Sequence, residues 1–352
     1  MDDGPLVTVV VNNYNYARFL RTSIESALGQ TYPRTEVVVV DDGSTDESAA
    51  IVDSYGARVR SVLKPNGGQG SAFNHGLAVS SGELVLFLDS DDYLFPAAVE
   101  TIVRAYRPGA SKVQCRLTVV DAEGRAVGQH PPPDMPLDEG DVASLLLERG
   151  HYATPVGSGN AHSRAALERV FPVPEEEFRY GADGYVNATV PFYGPVVAVD
   201  VPLAAYRVHE ENYSGMPGVL DVGRFHFTIR HNLATERAIA RTARAVGRTA
   251  GTDIMLRYPG HVEARLASLR LDPAAHPIRA DRRASLAVRG VVASWRYSRA
   301  SALRRLVDAA WFVAVALLPR RSARALIAWK YVRGSRPRAV RRAVRQIRRV
   351  IG

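Results

Sequence analysis

The feature that most constrains this chain is an alternation of strand and helix patterns in which two apolar runs end in acidic clusters. Val7–Val11 reads as a buried strand. A helical pattern follows from Ala17 to Gln30, with Phe19, Leu20, Ile24, Ala27 and Leu28 on one face, and Tyr32-Pro33 ends it. Glu36–Val40 is a second strand and runs into Asp41-Asp42-Gly43-Ser44, where Ser44 or Thr45 is placed to cap a helix through Tyr55. Val59–Leu63 is a third strand, followed by a glycine-rich loop and a helix from Ser71 to Ser80. Leu84–Leu88 is a fourth and delivers Asp89-Ser90-Asp91-Asp92. Such alternation predicts βαβ units: an α/β fold with a mainly parallel sheet flanked by helices. Ligands of these sheets bind beyond the carboxyl ends of the strands, where both acidic clusters fall.

The remainder is less regular. Lys112 to Val127 fits two strands around a Glu123-Gly124 turn, and Val196–Val201 fits another. Beyond about Gly218 helical segments rich in Ala, Arg and Leu take over. The single cysteine, Cys115, excludes an internal disulfide and points to a reducing compartment. Met1 is followed by two aspartates, which is not a secretory leader, so a cytoplasmic location is expected. The net charge of +9 is unevenly spread: residues 289–352 hold 17 Arg and Lys against Asp308 alone, a net +16, which leaves −7 on the rest. That tail is suited to an anionic surface.

Asp89 and Asp91 stand at i and i+2 on an extended segment, so both side chains point the same way. Paired hard oxygen ligands suit Mg²⁺ or Mn²⁺, which could bridge a pyrophosphate to the protein. Taken alone, the pair also reads as a solvated acidic turn, and Asp41-Asp42-Gly43-Ser44 as a generic one. The glycine-rich loop Asn66-Gly67-Gly68-Gln69-Gly70 lacks the dinucleotide pattern and follows the third strand rather than the first.

In order along the chain stand Val9-Val-Val-Asn-Asn-Tyr-Asn15, Gln30-Thr-Tyr-Pro33, Val39-Val-Asp-Asp-Gly-Ser-Thr-Asp46, Asn66-Gly-Gly-Gln69, Asn74-x-Gly76, and Gly82-Glu83 through Phe87-Leu-Asp-Ser-Asp-Asp92 to Pro96. This series closely resembles family 2 glycosyltransferases with the GT-A nucleotide-diphospho-sugar transferase fold, over roughly residues 6–215. The resemblance implies a metal-dependent inverting transfer of a sugar from a nucleotide-diphosphate donor, a UDP-sugar, to a glycan, glycolipid or glycoprotein acceptor. It implies donor contacts from Asn12, Asn13, Tyr14, Asp42, Gly68, Gln69 and Asp89. Asp91 and Asp89 become ligands of Mn²⁺ or Mg²⁺. Asn12 replaces the family's usual proline, and Phe73 stands where many members have Arg. Tyr180-Gly181-Ala182-Asp183 occupies the place of the motif that carries the base, making Asp183 the expected catalytic residue. Tyr206-Arg207-Val208-His209, with Asn212 and Ser214, resembles a strand-end segment in which Arg207 balances phosphate charge and His209 completes the metal shell. A catalytically inactive GT-A domain and a nucleotidyltransferase are the competing readings.

The expected organisation is a GT-A domain over residues 1–217, a helical extension over 218–288, and a basic amphipathic tail over 289–352. Within the tail, the ten-residue apolar stretch near Trp311 is too short to span a bilayer. With Trp329, Tyr331 and the basic helix pattern of residues 336–349, it fits a peripheral helix on the inner face of the plasma membrane. Packing against the catalytic domain is the alternative. No nucleic-acid recognition module accompanies the charge, so no nucleic-acid partner is expected.

Overall fold

The computed structural model describes residues 4–209, 219–332 and 335, and the chain divides into two compact bodies. One takes residues up to 208 together with 233–254, and the other takes the rest. The predicted basic helix of residues 336–349, and Asn212 and Ser214, lie outside the described residues.

In the first body, β1 (Val7–Asn13) pairs in parallel with β2 (Thr35–Asp41) on one side and β4 (Leu84–Asp89) on the other, and β2 pairs in parallel with β3 (Arg60–Leu63). Because α1 (Ala17–Leu28), α2 (Ser48–Asp53) and α3 (Gln69–Val79) cover the sheet, β1, β2 and β4 are buried on both faces and read as continuous apolar runs, while the edge strand β3 is exposed. Val7, Val9 and Val11 enter a core with Leu20, Ile24 and Ile51. Val10, Val38 and Val40 enter another with Ala72, Phe73 and Phe87. Phe73 and Phe87 stack with centroids 4.0 Å apart, which makes Phe73 part of the core.

After β5 (Tyr93–Leu94) and α4 (Ala98–Ala105), the sheet becomes mixed. Its order is β3-β2-β1-β4-β8-β6-β9-β5, with β7 outside β6. β6 (Lys112–Val120) and β7 (Ala126–His130) form the expected hairpin, and β9 (Val196–Arg207) runs parallel to β6. β9 passes through Pro202, which reads as a terminator in sequence, because the β6–β9 register shifts there. β8 (Asn160–Ser163) lies antiparallel between β4 and β6. Its four residues, Asn-Ala-His-Ser, carry no apolar alternation and give no strand signal. α5 (Val142–Arg149), α6 (Arg164–Leu167) and α7 (Ala182–Thr189) complete the body with the later part of α8 (Val222–Ala245).

One cap is corrected. Neither Ser44 nor Thr45 caps α2; Ser44 Oγ instead donates to Asp41 at 2.6 Å, and Asp46 accepts from the Ser48 N–H at 3.0 Å. Cys115 is buried in the sheet, which pushes its thiol up to about 12 and leaves it protonated.

The second body is helical: α9 (Pro259–Leu271), α10 (Arg283–Arg296), α11 (Ala302–Leu317) and α12 (Arg320–Tyr331). Gly290 of α10 sits against the Phe312 ring so closely that a Cβ would lie 2.2 Å from it. Glu263 accepts from Lys330 Nζ and from the Tyr331 hydroxyl, both at 2.6 Å. The Lys330 ammonium also lies 4.9 Å from the Trp311 ring centroid. Trp311 and Tyr331, read as interfacial aromatics, are therefore committed to internal packing. The exposed apolar side chains are different ones: Val288 and Trp295 on α10, and Leu306, Val307 and Leu317 on α11. No described helix is long and apolar enough to cross a membrane.

Candidate active site

Four chain segments converge at the carboxyl end of β4. Asp89 is the last residue of that strand, and its Oδ1 accepts from Asn12 Nδ2 at 3.0 Å and Gln69 Nε2 at 3.1 Å. Asn12, standing where relatives have proline, thus orients a carboxylate. Gln69 opens α3, and its Oε1 accepts the Ala182 N–H at 2.9 Å, which couples Asp89 to the first turn of α7. Asp183 lies in that turn, and the N-cap is Gly181, so Asp183 is no capping residue. Its Oδ2 accepts the Gly157 N–H at 3.1 Å.

Gly157 stands between the two acids. A Cβ built there would lie 3.6 Å from Asp89 Oδ2 and 3.8 Å from Asp183 Cγ. The two carboxylates therefore flank one point, and hydrogen there in place of a methyl keeps it open. Burial first, then the charges of Asp91 and Asp183, push the Asp89 carboxyl up to about 7.

Asp91 and Asp92 differ in use. Asp92 is buried and both its oxygens are engaged: Oδ2 accepts from Ser158 Oγ at 2.6 Å and Oδ1 from the Arg207 N–H at 2.8 Å. Burial and the neighbouring Asp91 and Asp89 hold its carboxyl well above the ordinary range. It joins the end of β9 and the 157–159 loop to the end of β4, a structural duty that adjacency to the motif does not reveal. Arg207 is anchored at the same place. Its Nε donates to the Asp91 carbonyl at 2.9 Å and its Nη1 to the Ala122 carbonyl at 3.0 Å, while Phe19 and Tyr93 flank the guanidinium. These contacts hold the acidic loop in place.

Asp42 is held by the glycine-rich loop. Oδ1 accepts from Lys64 Nζ and the Gly67 N–H, and Oδ2 from Asn66 Nδ2 at 3.1 Å and the Gly68 N–H at 2.6 Å. These bonds shape the loop around the carboxylate. Gly68 has φ 88° and an added Cβ would lie 2.4 Å from the Arg179 carbonyl, so only glycine fits. Asn13 is buried on Asp41 and Ser44, and Tyr14 is exposed beyond it.

Do these residues suit a divalent cation? Both oxygens of Asp92 are engaged, and Asp89 keeps Oδ2 clear of its two amide donors. Two crowded carboxylates with no cationic side chain paired to Asp89 form the hard-oxygen set that Mg²⁺ or Mn²⁺ takes, the other positions going to phosphate and water. Among the described residues no three His, Cys, Asp or Glu side chains gather as a metal cluster. His209 is a buried residue just past β9.

A residue that gave no sequence signal supports the start of α7. Lys112, fully buried at the start of β6, donates to Asn160 Oδ1 at 2.6 Å, Asn187 Oδ1 at 2.9 Å and Thr154 Oγ1 at 3.0 Å. It ties β8 to α7, the helix that carries Asp183. Burial pulls the Lys112 ammonium well below its ordinary value, and the Asp183 charge opposes that pull.

A mixed α/β sheet with a DxD at the end of its fourth strand, facing a carboxylate at a helix start, defines the class: a GT-A glycosyltransferase domain. Residues 8–170 match the model described as glycosyl transferase family 2, so this segment is a family 2 glycosyltransferase domain. An uncharacterized glycosyltransferase of Nostoc sp. is 37% identical over 212 residues, 58% of this chain and 66% of that protein. Chondroitin synthase of Pasteurella multocida is 41% identical over 105 residues, 29% of this chain and 11% of that protein. The chain thus spans less than two thirds of these relatives' length. The solved structure of S. aureus TarS 1–349 in complex with UDP-GlcNAc has a TM-score of 0.49 at 17% identity, covering 92% of this chain and 91% of that one.

Proposed function

We propose that this protein is a metal-dependent inverting glycosyltransferase that moves a sugar from a nucleotide-diphosphate donor to an acceptor hydroxyl in glycan or glycolipid assembly. The observation that carries the reading is the convergence of Asp89 and Asp183 on the point that Gly157 leaves open. Asp183 Oδ2 is held by the Gly157 N–H, and Oδ1 is left to accept the proton of the acceptor hydroxyl. As that proton leaves, the hydroxyl oxygen bonds to the anomeric carbon and the bond to the diphosphate oxygen breaks. Asp89 and Asp91 would hold Mg²⁺ or Mn²⁺, whose charge would stabilise the departing nucleotide. Gln69 keeps Asp89 and the start of α7 in fixed relation.

The nucleotidyltransferase reading calls for a basic glycine-rich loop after the first strand, and Tyr14-Asn15-Tyr16 follows β1 instead. An inactive binding domain has no use for an acid placed as Asp183 is. The test is a screen of nucleotide sugars, UDP-sugars first, for hydrolysis and transfer. Turnover with Mn²⁺ should fall to background in EDTA; donor-independent behaviour in both would overturn the assignment.

The basic tail is read as a peripheral contact with anionic membrane. Its apolar component is Trp295, Leu306, Val307 and Leu317, all exposed and flanked by arginines. Each basic residue near the surface contributes up to ~1 kcal/mol, a term that salt screens, whereas apolar insertion is not screened. Full-length protein should sediment with anionic liposomes, and high salt should weaken this without abolishing it. Leu306→Gln with Val307→Gln should lower the salt-resistant fraction several-fold. Failure of the full chain to sediment even at low salt would reduce these helices to a structural role.

A further inference from the structure

The second body contains a pocket of about 310 Å³ that the glycosyltransferase reading does not use. It is lined by Arg270, Arg282, Arg283 and Arg320, with Leu269 and Pro273 supplying an apolar wall. Its size lies at the lower end of the roughly 300–1,000 Å³ typical of small-ligand sites. Asp281 also reaches it, but that carboxylate is already balanced by Arg265, through a 2.9 Å bond from Nε and a second from Nη2, and by His276 Nε2 at 2.9 Å. Among the described residues no acidic side chain pairs with Arg270, Arg283 or Arg320.

Arg270 is the telling member. It is only 8% exposed, it donates from Nη2 to the Leu318 carbonyl at 2.5 Å, and its Nε has no partner. A buried, unsatisfied guanidinium N–H costs stability unless something accepts from it. Burial and the facing charges of Arg283 and Arg320 hold the Arg270 guanidinium below its ordinary value. Two helices also begin here. α10 starts at Arg283 and α12 at Arg320, and neither N-cap side chain satisfies the first-turn N–H groups. Like charges, two uncapped helix starts and an orphaned donor on one small space all ask for the same thing, an anion with several oxygens.

We propose that Arg270, Arg282, Arg283 and Arg320 form a binding site for a phosphate-bearing ligand, separate from the donor site at the end of β4. A phosphomonoester or diphosphate group offers the charge and acceptor number to satisfy the cluster. The same chemistry is available from a soluble phosphate and from a phospholipid headgroup.

Both sources are tested on the full-length protein at constant ionic strength. Titration calorimetry uses inorganic phosphate and pyrophosphate, with chloride as the blank. Sedimentation uses neutral vesicles doped with phosphatidic acid, against vesicles matched in surface charge with phosphatidylserine. The variants are Arg283→Gln and Arg320→Gln, both on exposed positions, with thermal unfolding to confirm the fold. Asp91→Ala removes any phosphate bound in the donor site. Saturable phosphate or pyrophosphate binding that survives Asp91→Ala and weakens at least about tenfold in each Arg variant supports the site with a soluble ligand. A preference for phosphatidic acid that is lost in the same variants supports it with a headgroup. If neither binding mode distinguishes the Arg variants from the parent chain, or if all phosphate binding disappears with Asp91→Ala, the proposal is wrong.

Discussion

Replacement of Asp183 by Asn is expected to leave donor affinity unchanged while lowering sugar transfer by roughly 10²–10⁴-fold, the usual contribution of a positioned base. The substitution is nearly isosteric. An Asn side-chain oxygen can still accept the Gly157 N–H that now meets Asp183 at 3.1 Å, so the loop should stay in place. What is lost is the capacity to take a proton. Asp89 keeps its own bonds from Asn12 and Gln69, which is why donor binding should persist. Calorimetric donor affinity with Mn²⁺, measured beside the transfer rate, separates the two effects. Near-normal turnover would place the base elsewhere. The acidic run just before α7 is a poor substitute, because Glu177 is tied to Arg237 at 2.9 Å and Arg241 at 3.5 Å.

How much of this was legible in sequence follows from where each interaction closes. β1, β2 and β4 could be read directly because parallel strands covered on both faces are unbroken apolar runs, and their ends delivered the acidic clusters where ligands gather. Asp183 was reachable through the family resemblance, and the structure brings it beside the Asp89 carboxylate. What sequence did not reveal involves partners distant in the chain. Lys64, Asn66, Gly67 and Gly68 all donate to Asp42. The carbonyls of Asp91 and Ala122 accept from Arg207.

Lys112 shows the same limit from the other side. A lysine opening a strand gives no hint of full burial, since its three acceptors sit on Thr154, Asn160 and Asn187. The arginine pocket is also invisible in sequence. Arg270, Arg282, Arg283 and Arg320 are scattered through a region where arginine is common, and only the helix packing selects these four. Charge runs report that a surface is basic; they do not report which cations lack partners.

Asp91→Ala should remove the metal-dependent part of donor binding while leaving the fold intact, and its neighbour supplies the control. Asp91 contributes to the fold through its carbonyl, which accepts from Arg207 Nε at 2.9 Å and survives the substitution. Asp92 contributes through its side chain, which Ser158 and the Arg207 N–H both engage. Asp92→Ala would strand those two donors, at about 1–3 kcal/mol for each one left buried and unsatisfied, and so should lower the melting temperature. Asp91→Ala should not. Its loss should appear in the donor titration, where removing one partner of a buried charge contact costs about 2–5 kcal/mol, or more than about 30-fold in Kd. The gain in affinity that Mn²⁺ gives the parent chain over EDTA should be absent from the variant. Equal donor affinity for the two proteins in Mn²⁺ would mean that the carboxylate pair at the end of β4 does not hold the ion.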